Sequence, residues 1–360
     1  MKIAIDVRML SPKAHGLSRY LKNILNQFFT ISKEHEFFLL HNEDPVYLGK
    51  PGYIFKKLNS KKFSLMEQIE IPLILKSITP DVFHAPSIAV PLYQKFPTVI
   101  TIHDLIPFIF PEYYPRQALL YLPLLKAAVK KAKIVIVSSV ATKEDVNRIL
   151  KVPFDKMRVI PDAAEEIFNP AAKAKEDKSV LEKFNIKRNF FLTVVNQRPY
   201  KNLKNLLEAF MKLKEKEYQL VVVGSVSEDI RRFVNNEVLS EKVILLGHIS
   251  DNDLASLYRS SFAFIFPSLY EGFGLPPLEA LACGAAVICS FASCLPEVMQ
   301  DAGLMIDPKK QSSMTEAMEA LIDNSSLRES LKAKSVKRAS LFSWKNTAEL
   351  TLKAYEEAIR

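Results

Sequence analysis

The sequence predicts an α/β protein built of two doubly wound domains, each a parallel sheet wrapped by helices. Length is the first observation: at 360 residues the chain passes the roughly 250–300 residues at which a single hydrophobic core stops growing. Alternation is the second, because short β-branched and aromatic runs take turns with longer stretches of helical period, as crossover helices require. The third is that this alternation occurs as two series with a polar, charged segment between them.

In the first series the expected strands are Lys2 to Asp6, Glu36 to Leu40, Val82 to His84, Thr98 to Ile102 and Ile134 to Val137. In the second they are Phe190 to Val195, Gln219 to Val223, Val243 to Leu246, Ala263 to Phe266 and Ala286 to Ile288. The segment FNPAAKAKEDKSV, Phe168 to Val180, separates the series and places a boundary near Asn169, since such polar stretches with proline suit linkers. Domains of 1–168 and 169–343 follow, and Phe342, Ser343 and Trp344 lead into a last amphipathic helix over 344–360.

Composition excludes several classes. Hydrophobic residues at 48% and charged residues at 25% are ordinary for a soluble globular protein. No apolar run reaches the roughly 18–20 residues that cross a bilayer, and MKIAIDVRML enters a strand without a basic leader and cleavage site, so a cytoplasmic address is expected. The net charge of +9 is spread along the chain rather than gathered in an arginine-rich tract, which argues against nucleic acid. Cys283, Cys289 and Cys294 lack metal-ligand spacing and read as reduced packing residues. The runs FKKLNSKKF (Phe55 to Phe63) and Leu105 to Leu125 leave two readings open: core helices with solvated lysines, or a surface that rests peripherally on an anionic membrane.

In open α/β sheets ligands bind beyond the carboxyl ends of the strands, so the loops that follow strands hold the candidate site. After the strand Ala263 to Phe266 come Tyr270, Glu271, Gly272, Phe273, Gly274, Leu275, Pro276 and Pro277, then Glu279. The glycines permit positive φ and close approach to a ligand, and the prolines suit a helix start. A helix N-terminus offers unpaired N–H groups and positive dipole to a phosphate or diphosphate. Glu271 and Glu279 lie on the loop and in the first turn, and carboxylates accept hydrogen bonds from vicinal hydroxyls. Taken singly, Glu279 would complement the helix dipole and Glu271 would be solvated; in this order with the glycines and prolines they point to a sugar and a ribose. A second loop, Asn196 to Asn202, carries Arg198 and Lys201 at the start of the helical stretch LKNLLEAF, where cations would neutralise a departing diphosphate. Asp251, Asn252 and Asp253 superficially match a metal-binding DxD, but Ser250 or Asp251 there makes a helix N-cap, and no metal is assigned.

The stretch YEGFGLPPLEALACGAAVI, Tyr270 to Ile288, resembles the Glu-x7-Glu motif of family 4 retaining glycosyltransferases with the GT-B fold, and the continuation AAVICSFASCLPEVMQDAGLMIDP is similar to that family as well. The resemblance runs through nearly the whole chain. It implies two Rossmann-like domains facing a central cleft, a nucleotide-diphosphate sugar donor bound mainly by the second domain, a final helix that crosses back to the first, and no metal or other cofactor. Glu271 would then contact the sugar and Glu279 the ribose, with the amides of Phe273, Gly274 and Leu275 lining the donor. Lys201 matches a family lysine; Val195 stands where a glycine is usual and Asn196 where an arginine can sit, which leaves Arg198 as the substitute. The resemblance also sets His103 beside the transferred sugar, with Asp104 next to it, and assigns the base to the backbone of Gly247 and His248. Gly16, Arg19 and Tyr20 fall on the acceptor side. In the retaining reaction the leaving phosphate oxygen takes the acceptor's proton.

The resemblance implies transfer of a hexose from a nucleotide sugar to a glycan or lipid-linked sugar in surface-polysaccharide synthesis, with mannose from GDP-mannose favoured by the likeness of HDLIPFIFPEYYP and YKNL to mannosyl- and related transferases. Absence of GxGxxG after the first strand argues against a nicotinamide or flavin enzyme. Two alternatives stay open: a nucleotide-sugar epimerase of the same fold, and a binding module without turnover.

Overall fold

A computed structural model of the chain describes every residue except 12–15, 43–51, 63, 88–89, 93–94, 172–173, 188, 216 and 236–237, and describes backbone alone at 116, 117, 174 and 238. Expectations that touch Ala14, His15, Phe63, Ala172 and Lys173 lie outside the described residues. The chain forms two compact units, Met1–Asp162 with Ser343–Arg360, and Ala163–Phe342. The division falls after Asp162, ahead of the position near Asn169 expected from composition. The charged segment that suggested the boundary is already part of the second unit, where Asp177 holds Arg259 at 2.6 Å.

The first unit contains β1 (Lys2–Asp6), α1 (Gly16–Ile31), β2 (Glu36–His41), β3 (Tyr53–Lys57), α2 (Glu67–Ile78), β4 (Val82–Ala85), β5 (Thr98–Ile102), α3 (Ile106–Ile109), α4 (Pro115–Lys131), β6 (Ile134–Val137), α5 (Val140–Leu150) and β7 (Met157–Val159). Its seven strands are parallel and ordered β3-β2-β1-β4-β5-β6-β7. The order reverses between β1 and β4, where Ile3 pairs with Val82. The interior strands β4, β5 and β6 are buried along their whole length, as parallel strands covered on both faces must be.

The second unit contains α6 (Ala174–Lys183), β8 (Phe190–Val194), α7 (Leu203–Met211), β9 (Gln219–Val223), α8 (Glu228–Asn235), β10 (Val243–Gly247), α9 (Asp251–Ser260), β11 (Ala263–Phe266), α10 (Leu275–Ala282), β12 (Val287–Ser290), α11 (Leu295–Met299), β13 (Gly303–Ile306), α12 (Gln311–Asp323) and α13 (Ser325–Ala339). Its six parallel strands run β10-β9-β8-β11-β12-β13. Here the reversal lies between β8 and β11, with Ala263 opposite Phe191.

Three strands escape the sequence reading. β3 is an edge strand, half-exposed and ending in lysines, so it lacks the continuous apolar run of an interior strand. Charged edges of this kind discourage pairing with another chain. Phe55 to Lys57 therefore belong to a strand and not to a helix, which corrects the helical reading of that run. β7 is three residues long, and β13 opens on a glycine. The run from Leu105 divides between α3 and α4; Leu105 and Leu125 enter the core while Leu119, Leu120 and Leu124 stay exposed. Among the described residues no helix is long and apolar enough to cross a membrane.

After α13 the chain returns to the first unit as α14 (Trp344–Ile359). Ser343 caps it by accepting from the Asn346 amide at 3.2 Å. One face of α14 is apolar and buried, through Trp344, Ala348, Ala354 and Tyr355. Two of its polar side chains there are bonded: Thr347 Oγ1 donates to the Pro161 carbonyl at 2.7 Å, and the Tyr355 hydroxyl meets His84 Nδ1 at 2.6 Å. His84 Nε2 in turn lies 2.8 Å from Thr101 Oγ1. Only a neutral imidazole has one donor and one acceptor to share between two hydroxyls. Burial, helped by His103 nearby, accordingly pushes the His84 pKa down to about 3.

A folded-state pKa below the unfolded value means that the unfolded chain takes up the proton first. The resulting stability is complete above about pH 6.5 and is lost as pH falls toward 3. Urea unfolding should show wild type losing about 2 kcal/mol more than His84→Gln between pH 7 and pH 5. Equal losses in the two proteins would show that His84 does not carry this dependence.

Candidate active site

The second unit builds its site at the reversal point of its sheet. Because β8 and β11 are neighbours, the loops that follow them emerge side by side although 70 residues separate Lys201 from Glu271. Lys201 ends a short 3-10 turn, Pro199–Lys201. Its ammonium lies 2.5 Å from Glu271 Oε1 and 5.1 Å from the centre of the Phe266 ring. Both side chains are nearly buried, 12% and 11% exposed. A pair so shielded from water interacts strongly but also costs desolvation, so it needs a rigid frame.

Asn202 supplies part of that frame. Its backbone is left-handed, φ 62°, a conformation that Asn tolerates better than most residues. Its side-chain amide donates to the Pro267 carbonyl at 3.1 Å and to the Pro308 carbonyl at 2.6 Å, and its Oδ1 accepts from Asn205 at 2.7 Å. One side chain thus ties together the loops after β8, β11 and β13. The Leu269 amide adds a bond to the Tyr200 carbonyl at 2.8 Å. On the far side of Glu271, its own carbonyl accepts from Ser293 Oγ at 2.6 Å and Cys294 Sγ at 3.3 Å.

The loop after β11 feeds α10 through Gly274, which is left-handed at φ 97°. A Cβ at Gly274 would lie 2.7 Å from the Leu295 side chain, so both conformation and space call for glycine. Pro276 and Pro277 fall in the first turn of α10 and carry no amide hydrogen, and the Leu278 amide donates to the Gly274 carbonyl at 3.3 Å. Leu275 is half-buried, and Phe273 is buried against Phe342 at 5.8 Å. Glu279 sits beyond the first turn of α10, not within it, which corrects the expected position. Its buried carboxylate accepts from the Tyr258 hydroxyl at 3.3 Å, so it is not a surface complement to the helix dipole.

Asn196 and Arg198 are exposed on the loop after β8, and Asn196 Oδ1 accepts from the Arg198 amide at 3.0 Å. Val195, where a glycine was noted as usual, is buried in the core. The close approach is made from the other side by Gly224 after β9: a Cβ there would stand 1.9 Å from the Val195 carbonyl oxygen. Gly247 is the last residue of β10, with φ 64°, and its carbonyl accepts from the Gly224 amide at 2.6 Å. His248 beside it is exposed. Ser250 caps α9 by accepting from the Asp253 amide at 3.1 Å, and Asp253 pairs with Lys183 at 2.8 Å, in keeping with the capping role read for this triplet. The three cysteines are free and buried; burial pushes the Cys283 thiol up to about 12, the mark of an inert packing residue.

In the first unit, His103 follows β5 and its Nδ1 lies 3.6 Å from Asp162 Oδ2. Its ring meets Tyr20 edge-on at 4.5 Å, while Nε2 is buried with no hydrogen-bond partner among the described residues. Asp104 Oδ1 accepts from the Ile106 amide at 2.9 Å and so shapes the turn into α3. Tyr20, expected on the acceptor side, is buried, 2% exposed. Gly16 opens α1 and is exposed, and an added Cβ there meets no atom within 4 Å. Space in the chain itself therefore does not call for a glycine. Arg19, on the same helix, is half-buried.

Asn202 and Gly224 are the residues that the sequence reading passed over. Gly224 had a signal, a glycine directly after a predicted strand; the partners of Asn202 lie 65 and 106 residues away and had none.

The second unit thus sets a cation and a carboxylate as a pair beside a helix that opens on a glycine. Comparison with known proteins gives the class. The family model for glycosyl transferases group 1 matches residues 174–338, and that for glycosyltransferase family 4 matches residues 14–164. The O-antigen chain mannosyltransferase B of Escherichia coli is 31% identical over 76% of this chain and 74% of its own length. The serotype-specific mannosyltransferase WbdA of Escherichia coli is also 31% identical, over 73% of this chain but only 34% of its own length. A crystal structure of Anabaena HepE in complex with UDP-glucose superposes with a TM-score of 0.80 at 17% identity, covering 99% of both chains. The chain belongs to the family 4, group 1 glycosyltransferases of GT-B fold, and it is a hexosyltransferase.

The frame around Lys201 can be tested through Asn202. Asn202→Gly removes the ties and keeps the left-handed backbone, whereas Asn202→Ala loses both. Chemical denaturation should rank wild type above Gly and Gly above Ala, with the last step about 1 kcal/mol. An Ala variant as stable as the Gly variant would contradict the conformational part of this account.

Proposed function

We propose that this glycosyltransferase moves mannose from GDP-mannose to a sugar hydroxyl, with retention of configuration and without a metal, in the synthesis of a surface polysaccharide. The observation that carries the reading is the nearly buried Lys201–Glu271 pair at the start of α10. The O-antigen chain mannosyltransferase and the serotype-specific mannosyltransferase among its relatives support the sugar and the pathway class. In this reading the amides at Phe273, Gly274 and Leu275 take the diphosphate, and Lys201, assisted by Arg198, balances the charge that grows as the sugar leaves. Glu271 holds Lys201 before the donor arrives and accepts from sugar hydroxyls once phosphate oxygens compete for the ammonium. Glu279 receives the ribose, and Gly247 and His248 receive the base. Since no side chain here is assigned as base, the acceptor's proton passes to the departing phosphate oxygen as the hydroxyl attacks the same face. His103, oriented by Asp162, holds the sugar. Exposed Leu119, Leu120 and Leu124 on α4 favour a lipid-linked acceptor reached from the membrane surface.

The test is a thermal-shift comparison of GDP, UDP, ADP and TDP, followed by transfer assays with GDP-mannose. GDP should raise the melting temperature most, EDTA should leave the rate unchanged, and NMR should show the product in the donor's anomeric configuration. Lys201→Ala, checked for folding, should lower kcat/KM on the order of a hundredfold or more. Full transfer activity in folded Lys201→Ala and Glu271→Ala variants would refute the site assignment. Donor converted to a different nucleotide sugar without acceptor would instead favour an epimerase.

A further inference from the structure

The carboxyl ends of β1, β2 and β3 enclose a cavity of about 420 Å³, within the size range of small-molecule pockets. It lies wholly in the first unit and shares no residue with the Lys201–Glu271 site. Lys57, Lys61 and Lys62 line one side, Asn42 and Asn59 another, and Arg8 the third. Among the described residues no carboxylate lines it. The carboxylates behind the wall are engaged: Asp6 and Glu67 hold Arg8 at 2.7 and 2.9 Å, and Glu70 accepts from the amides of Asn59 and Ser60 at 2.8 and 2.7 Å. Asn42 donates to the carbonyls of Leu58 and Ser60 at 3.1 and 2.7 Å. The turn that bears the lysines is therefore pinned from β2 on one side and from α2 on the other. The Asp6–Arg8–Glu67 group carries one net negative charge, which Lys57 and Lys61 outweigh.

We propose that this pocket is a second anion site, which takes the phosphate or diphosphate of the acceptor. Binding of the anion needs only the pocket; its assignment to the acceptor rests on the transferase reading above. Multiple ammonium donors on a fixed turn make charge-assisted bonds that a single solvated lysine does not, and a fixed pocket loses little ordering entropy on binding. Lipid-linked and free sugar phosphates share this chemistry.

Calorimetric titration of the full chain with inorganic pyrophosphate, in about 0.15 M salt to screen loose surface attraction, tests it. Saturating GDP is included to occupy the other site. Lys57 and Lys61 are exposed, so Lys57→Ala/Lys61→Ala should fold normally. Wild type and Lys201→Ala should both bind pyrophosphate, and the double lysine variant should bind about tenfold or more weakly. In transfer assays the double variant should raise KM for a phosphorylated acceptor and leave KM for the donor unchanged. A parallel arm compares vesicles of phosphatidylglycerol with phosphatidylcholine. Pyrophosphate binding that the double variant keeps, or that GDP or Lys201→Ala abolishes, overturns the proposal. So does a lysine-dependent capture by phosphatidylglycerol vesicles with no pyrophosphate binding, which would assign the lysines to a lipid surface. Because the titration needs no turnover, a chain inactive on GDP-mannose that still binds pyrophosphate through Lys57 and Lys61 would overturn the GDP-mannose reading and leave the anion site standing.

Discussion

The adjacency of β8 and β11 is the constraint on which the second unit's chemistry depends. Sequence order would keep Lys201 and Glu271 far apart. The winding reverses between these strands, and a reversal leaves two loops that diverge to opposite faces with a gap at the sheet's carboxyl edge. Lys201 enters the gap from one loop and Glu271 from the other. Their pairing in low-dielectric surroundings is not a source of stability, since buried ion pairs roughly break even against apolar packing. What such a pair provides is a cation whose position near the start of a helix is fixed by the fold.

Rigidity around the pair comes from ordinary backbone satisfaction. The Asn202 amide donates to the Pro267 and Pro308 carbonyls, and Ser293 and Cys294 occupy the carbonyl of Glu271. Every one of these acceptors is a loop carbonyl that burial would otherwise leave costly. The same bonds that remove that cost also fix the loops, so the frame and the site share one set of interactions. Gly224 and Gly274 mark where backbone or side chains come too close for a Cβ.

The first unit follows the same plan with different parts. α14, the last element of the chain, lies on the sheet through a polar seam, Tyr355 to His84 to Thr101, and through apolar burial of Trp344 and Ala348. Next to that seam, Tyr20 and Asp162 fix the ring of His103 from two sides. A histidine so enclosed has one nitrogen beside a carboxylate and the other buried with no hydrogen-bond partner among the described residues.

The α/β class, the doubly wound pattern, the interior strands and the glycine-opened helix at Gly274 are legible in residue order, because each rests on local chemistry: continuous apolar runs, turn residues and conformational freedom at glycine. Edge strand β3 and the short strands β7 and β13 are not, since partial exposure or brevity erases the apolar run. The division after Asp162 is not legible in residue order, because a charged segment resembles a linker even when, as with Asp177 and Arg259, it is used to pin a helix. Which carboxylate meets which cation was beyond local reading. Glu271 reaches Lys201 and Glu279 reaches Tyr258 through strand order and helix phase, and the clamp at Asn202 exists only because three loops converge. The chain's own residues state what each segment can do; the order of the strands states which segments do it together.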